Sequence, residues 1–217
     1  MTNSKTSMIF FLRAALIYLL LVTPWPGVRD WFGDVFRAAG QEVLGRVGGD
    51  GVTNFEAYED KNGEFDTRIW LANRTYVRGD GKAPAMDMYV DSHGSTWLPL
   101  SLVCALVLAT PVSWRRRLVG LGIGLAATAA FCVFRVWISM LWNYQQGVDA
   151  KIHLFKDAPV TDYLLETLDT IMLNPYGPSF AVAVVVWLAV MFRWSEIRDF
   201  FGAAPNAQKQ TEVSATA

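Results

Sequence analysis

The chain has 217 residues, enough for one compact unit or for a bundle with a small appendage, and 53% of them are hydrophobic. Only 18% are charged, below the roughly 25% of an ordinary soluble domain. The formal net charge of -1 gives no case for a nucleic-acid partner. Cys104 and Cys132, the only cysteines, both fall in apolar runs. That placement excludes a disulfide framework and zinc-ligand spacing, and both read as small buried hydrophobes.

Four apolar runs organise the chain, and a bilayer core of about 30 Å needs about 20 residues of helix. Residues 1–7 form an N-terminus, and 8–25 predict a first transmembrane helix. Lys5 and Arg13 open this run as in a signal peptide. Thr23-Pro24-Trp25-Pro26 follows its core, however, where a small-x-small cleavage site would stand, so the helix reads as uncleaved.

Residues 26–96 predict an outer domain. From Val28 to Val47, apolar Trp31, Val35, Phe36, Ala39, Val43, Leu44 and Val47 recur at helical spacing opposite Arg29, Asp34, Arg37 and Gln41. Gly48-Gly49-Asp50-Gly51 ends that amphipathic helix. Strand-like pieces follow at 52–58 and 65–71, joined through Lys61-Asn62-Gly63, and at 74–77 and 85–90 around Gly79-Asp80-Gly81. They predict an antiparallel sheet of three or four strands. The Asn73-Arg74-Thr75 sequon has meaning only in a host that glycosylates.

A second span is predicted at 97–112, a link at 113–117, a third span at 118–142, a second outer segment at 143–177, a fourth span at 178–194 and a tail at 195–217 that is disordered at its end. The second outer segment carries an amphipathic helix over 161–173, with Leu164, Leu165, Leu168, Ile171 and Met172 opposite Asp162, Glu166 and Asp169. Arg115, Arg116 and Arg117 in a short link orient that link to the cytoplasm. The inner side then holds Lys5, Arg13, these three arginines, Arg193, Arg198 and Lys209 against Glu196, Asp199 and Glu212. Trp25, Trp97 and Trp142 mark the outer interface, and Trp114 and Trp194 the inner one. The expected fold is a mainly α membrane protein with four transmembrane helices and a small outer α+β domain. Its expected place is multi-pass in a bacterial inner (plasma) membrane, both termini in the cytoplasm.

Arg135 is the most informative single residue. It falls in the outer half of the third predicted span, where a charge costs at least a few kcal/mol and so has a partner or a purpose. None of the predicted spans contains Asp or Glu. Its partner is therefore expected in the outer domain, lipid phosphate, another protein, or hydroxyl and carbonyl groups. Snorkelling to the headgroups is the plain alternative. Thr128, Cys132 and Ser139 share a mildly polar stripe with it. Gly120 and Gly124 form a G-x-x-x-G pair that allows close helix packing, within the chain or to a partner. His93, in Asp91-Ser92-His93-Gly94-Ser95, and His153 are the only histidines. His93, Ser95, Arg135 and His153 are the candidate catalytic residues, although plain surface histidines are common. No phosphate-binding loop, H-E-x-x-H or dinucleotide fingerprint occurs, and neither cofactor nor metal is expected.

From Asp91 to about Tyr144 the chain resembles the core of the exosortase/archaeosortase family of membrane transpeptidases. Ser92-His93-Gly94 occupies the family's Cys-Ser-Gly-like turn, Arg115-Arg116-Arg117 its inner link, and Arg135, in Phe131-Cys132-Val133-Phe134-Arg135, its returning arginine. The nucleophilic cysteine is missing, and His153 follows Arg135 too soon to match the family histidine. The segment from Trp97 to Arg115 also resembles small membrane proteins associated with exosortase systems. The resemblance implies a degenerate or accessory relative. The leading expectation is a non-catalytic membrane accessory or scaffold that binds lipid and another envelope protein, with a homo-oligomer as an option. A divergent transpeptidase or peptidase is the alternative, and a transport-complex subunit the second.

Overall fold

The computed structural model describes residues 2–23, 25–47, 51–60, 63–76, 85–146, 163–164, 166–168, 170 and 177–192. Among these residues the chain runs α1 (Thr2–Val22), α2 (Val28–Leu44), β1 (Arg46–Val47), β2 (Gly51–Ala57), β3 (Thr67–Asn73), a 3-10 turn (Arg74–Tyr76), and β4 (Ala85–Val90). A π-helical turn (His93–Trp97), α3 (Leu98–Ala109), α4 (Trp114–Gln146) and α5 (Gly177–Met191) follow. Several sequence expectations fall outside the described residues: the turn glycines at 79 and 81, His153, most of the second outer segment and the tail.

The four expected transmembrane helices are corrected by length. Among the described residues only Trp114–Gln145 is long and apolar enough to cross a bilayer; Met8–Val22, His93–Ala109 and Gly177–Met191 are apolar helices of 10–17 residues. A perpendicular crossing takes about 17–25. Thr110-Pro111 stops α3, while the next helix gains residues at both ends. Arg115, Arg116 and Arg117, expected in a loop, form the first turn of α4, and its far end continues beyond Trp142 to Gln146. Charge alone does not break a helix. At 33 residues, α4 is about 50 Å long at 1.5 Å per residue.

The sheet is an antiparallel meander in the order β1-β2-β3-β4, three strands of six or seven residues with a two-residue strand at one edge. Alternation turns Thr53 and Phe55 on β2, and Thr67, Ile69 and Leu71 on β3, to one buried face. Phe55 pairs with Ile69, and Ile69 with Met88. The expected strand at Arg74 is a 3-10 turn instead, because the Asn73 side chain accepts a hydrogen bond from the Thr75 N–H at 3.0 Å and turns the backbone away.

Helix α2 closes the open edge of β2. Past the two residues of β1, the Gln41 side chain takes the place of a neighbouring strand. Its carbonyl accepts from the Phe55 N–H at 3.0 Å and its amide donates to the Thr53 carbonyl at 3.2 Å. An edge left bare would be a template for foreign pairing. The helix comes so near that a Cβ on Gly40 would lie 2.6 Å from the Phe55 ring, so this position needs glycine.

Two hydrophobic cores result. The first joins Leu44, Phe55, Ile69, Leu71 and Val90 to Val136, Ile138, Met140, Leu141 and Tyr144 of α4. The second joins Val103 and Val107 of α3 to Ala183 and Met191 of α5, with Leu121 of α4 packed on it. Helix α1 lies against α3. The arginines opening α4 satisfy carbonyls at two helix ends. Arg117 donates to the Thr110 carbonyl at 3.0 Å and Arg116 to the Met191 carbonyl. Cations belong at helix C-termini, where unsatisfied carbonyls collect partial negative charge.

Candidate functional site

The polar residues of interest gather where the sheet hands over to the helices. Asp66, just before β3, fixes that junction. Its carboxylate accepts from the Ser92 N–H at 3.0 Å, the Ser92 hydroxyl at 2.5 Å and the Thr67 hydroxyl at 2.9 Å. Sequence reading missed Asp66, since 26 residues separate it from Ser92 and no local motif marks it.

Ser92 starts the helical stretch on which His93 and Ser95 stand. The side chains diverge there. The Ser95 hydroxyl donates to the Asp91 carbonyl at 2.5 Å and lies 3.5 Å from the Thr96 hydroxyl, and the residue is buried. Across from it, the Cys132 thiol on α4 points at the Ser95 carbonyl at 3.7 Å. His93 instead lines a cavity of about 180 Å³ with Thr23, Trp25, Arg29, Asp91 and Trp97. Burial pushes its imidazole below the ordinary histidine value; the Asp91 and Asp66 carboxylates pull the other way, and the Arg29 guanidinium adds to the lowering. Among the described residues, the Ser95 hydroxyl contacts the Asp91 carbonyl and the Thr96 hydroxyl and has no side-chain base as a partner, whereas a serine nucleophile is activated by an adjacent base.

Arg135 belongs to a third place. Its guanidinium donates to the Ser179 hydroxyl at 2.7 Å, tying α4 to the start of α5. Ser179 is fully buried. Thr128, two turns earlier on α4, is also fully buried, and its hydroxyl makes no hydrogen bond among the described residues. Neither Arg135 nor Ser95 lines the cavity that contains His93. The glycine pair is used within the chain. A Cβ on Gly120 would meet Met191 at 2.8 Å, and one on Gly124 would meet Val103 at 2.9 Å. Of the two expected uses of this pair, packing within the chain or to a partner, α5 and α3 take the first.

Two further cavities flank the junction. One of about 460 Å³ opens between α2 and the β2–β3 loop, with Arg29 and Arg37 facing Glu59, Asp60 and Asp66. The other, of about 190 Å³, is apolar and lies between α2 and α4, walled by Phe32, Phe36, Phe55, Cys132 and Val136. The sheet's outward face carries Arg68, which pairs with Asp87 at 2.7 Å and stands 5.3 Å from the centre of the Trp70 ring. Tyr89 lies beside it, contacting Tyr58 at 4.7 Å between ring centres. Alternation along β3 and β4 placed these side chains on one face; nothing in the sequence singled them out. Among the described residues, no group of three or more His, Cys, Asp or Glu could hold a metal ion. Comparison with known proteins finds no family model, no curated protein and no solved structure that matches the chain.

Proposed function

We propose that the chain is a non-catalytic scaffold of a bacterial envelope system, of the accessory kind that the exosortase resemblance implies. Helix α4 holds it in the membrane, and the outward face of the sheet is offered to a protein partner. The observation that carries this reading is the double use of α4. One unbroken helix supplies a bilayer-length apolar segment and, from Val136 to Tyr144, five side chains of the sheet domain's core. Tyr144 is fully buried, its hydroxyl 3.0 Å from the Val52 carbonyl and 3.3 Å from that of Ala72. Such a joint leaves the domain no hinge at the membrane surface, which suits presentation.

The offered face supports the same reading. Trp, Tyr and Arg are the residue types that dominate binding at protein interfaces, and Trp70 and Tyr89 are each 41% exposed beside Arg68. The Ser95 hydroxyl donates to a backbone carbonyl, which supports the non-catalytic reading.

Complementation of a strain lacking this chain tests the proposal. Ser95→Ala is expected to restore function fully, and Trp70→Ala with Tyr89→Ala to fail at normal protein level in the membrane. Loss of function in Ser95→Ala at normal protein level would sink the scaffold reading in favour of an enzyme.

A further inference from the structure

Where α1 gives way to α2, aromatic rings and a carboxylate surround the cavity of about 180 Å³ that holds His93. Drug-sized ligands take roughly 300–1,000 Å³, so this space admits only a small group or the head of a larger molecule. Trp25, Phe32 and Trp97 wall it. Their rings are held in place. The Trp25 indole N–H donates to the Leu20 carbonyl at 2.9 Å, and that of Trp97 donates to the Leu21 carbonyl at 3.2 Å. Phe32 meets Trp97 edge-on at 5.0 Å between ring centres.

Asp91 lines the same cavity, and its Oδ1 is buried with no hydrogen-bond donor among the described residues. A buried carboxylate oxygen left without a donor is costly, more so than a neutral acceptor. Arg29 does not supply one. Its guanidinium reaches across to donate to the Gly63 carbonyl at 3.0 Å, at the far end of the β2–β3 loop. Arg29 nevertheless lines the cavity, so a fixed positive charge stands near an uncompensated negative one. A bound group that satisfies both is cationic at one end and anionic at the other.

The level of the cavity points to its source. Thr23 and Trp25 follow directly on α1, whose Leu16, Leu19 and Leu20 are each at least 58% exposed. An apolar helix surface that ends in tryptophan marks the headgroup layer. We propose that this cavity binds the headgroup of a zwitterionic phospholipid, its ammonium between the Trp25 and Trp97 rings on the side of the Asp91 carboxylate and its phosphate toward Arg29. The inference rests on the membrane-seated reading above. An ammonium over indole faces gains from the ring quadrupole and brings a cation to the carboxylate that lines the cavity. A phosphoglycerol head brings the phosphate without the cation and leaves the carboxylate unanswered.

The test uses the full-length chain purified in detergent and titrated with dihexanoyl-phosphatidylethanolamine, dihexanoyl-phosphatidylglycerol and free phosphoethanolamine, read by tryptophan fluorescence. The ethanolamine lipid is expected to bind about tenfold tighter than the glycerol lipid. Asp91→Asn is expected to remove that preference. Trp25→Leu, at a half-exposed position, is expected to weaken the ethanolamine lipid by roughly threefold to tenfold. Equal binding of the two lipids, or an unchanged preference in both variants, overturns the proposal. Free phosphoethanolamine binding as tightly as the lipid overturns the lipid as its source. An alkaline wash separates the two readings. A chain that washes off the membrane defeats the membrane seat whatever the cavity binds, whereas one that stays and shows no preference defeats the headgroup site alone.

Discussion

On the sheet, the aliphatic side chains turn inward, and the outward face mixes charged residues with the exposed rings of Trp70 and Tyr89. Ile69 and Leu71 have no exposed surface, while Asn54, Glu56, Arg68 and Asp87 occupy outward positions. Around the helices the pattern inverts. Met8, Phe11, Leu12 and Leu16 of α1, and Leu118, Val119 and Ile123 of α4, are all more than half exposed, while Ser179 and Thr128 are fully buried. Soluble monomers rarely show contiguous apolar patches beyond a few hundred Å². One chain thus carries two kinds of surface, a mixed polar and aromatic one on the sheet and a largely apolar one on α1 and α4, and α4 takes part in both halves within a single helix. The contrast can be broken at the joint or at either surface.

The largest effect is expected at the joint. Tyr144→Ala removes a fully buried ring from the sheet domain's core together with its contacts to the Val52 and Ala72 carbonyls. Aromatic-to-alanine changes in cores cost about 3–5 kcal/mol. Thermal unfolding of the purified chain should show the sheet half melting far earlier, while the helical signal persists. Tyr144→Phe keeps the ring and should cost about 1 kcal/mol. Unchanged unfolding in Tyr144→Ala would mean that α4 does not hold the domain.

A smaller effect, of opposite sense on the two surfaces, is expected from one added charge. Ile123 is 53% exposed near the middle of the apolar part of α4. In a bilayer, Ile123→Asp costs about 2.5–3.5 kcal/mol and should lower the yield of chain that resists alkaline extraction. Asn54→Asp, outward on the sheet, should change stability by about 0.5 kcal/mol or less. If Ile123→Asp instead raised the yield of folded chain free of membranes, the outward apolar side chains of α4 would face water.

Sequence reading caught what periodicity encodes and missed what distance encodes. The amphipathic spacing from Val28 marks α2, and the strand expected over 85–90 coincides with β4. The start of α4 differs from the expected loop, because Arg116 and Arg117 cap α5 and α3 from within the helix. The number of spans differs because an apolar run is not by itself a crossing: Met8–Val22, His93–Ala109 and Gly177–Met191 are apolar helices of 10–17 residues. At the site, the sequence presented Asp91, Ser92, His93 and Ser95 as one motif. The backbone then sends His93 toward Trp25 and Trp97 and Ser95 toward Cys132. Nothing in one dimension announces that Asp66 grips Ser92, that Gln41 stands in for a strand, or that Arg135 finds Ser179.

The smallest expected effect sharpens the comparison at the boundary between the two surfaces. His93 sits where sheet and helices meet, and burial lowers its imidazole below the ordinary value. An unfolded chain holds the group near 6.5, so the folded state favours the neutral ring. The linkage has one sign. The contribution is complete above about 6.5 and is lost as pH falls through the lower folded value, since the unfolded chain then binds a proton that the fold resists. Arg29 opposes the proton while Asp91 and Asp66 attract it, which keeps the net effect small. The carboxylates titrate near 4 in ordinary surroundings, so unfolding compared at about pH 7.5 and about pH 5.5 isolates the histidines. His93→Gln should narrow the gap in unfolding temperature between those two conditions, and His153→Gln, at the only other histidine, provides the control. A gap of the same width in wild type and His93→Gln would show that the ring is as well solvated in the folded chain as in the unfolded one, and that water rather than an apolar wall borders this cavity.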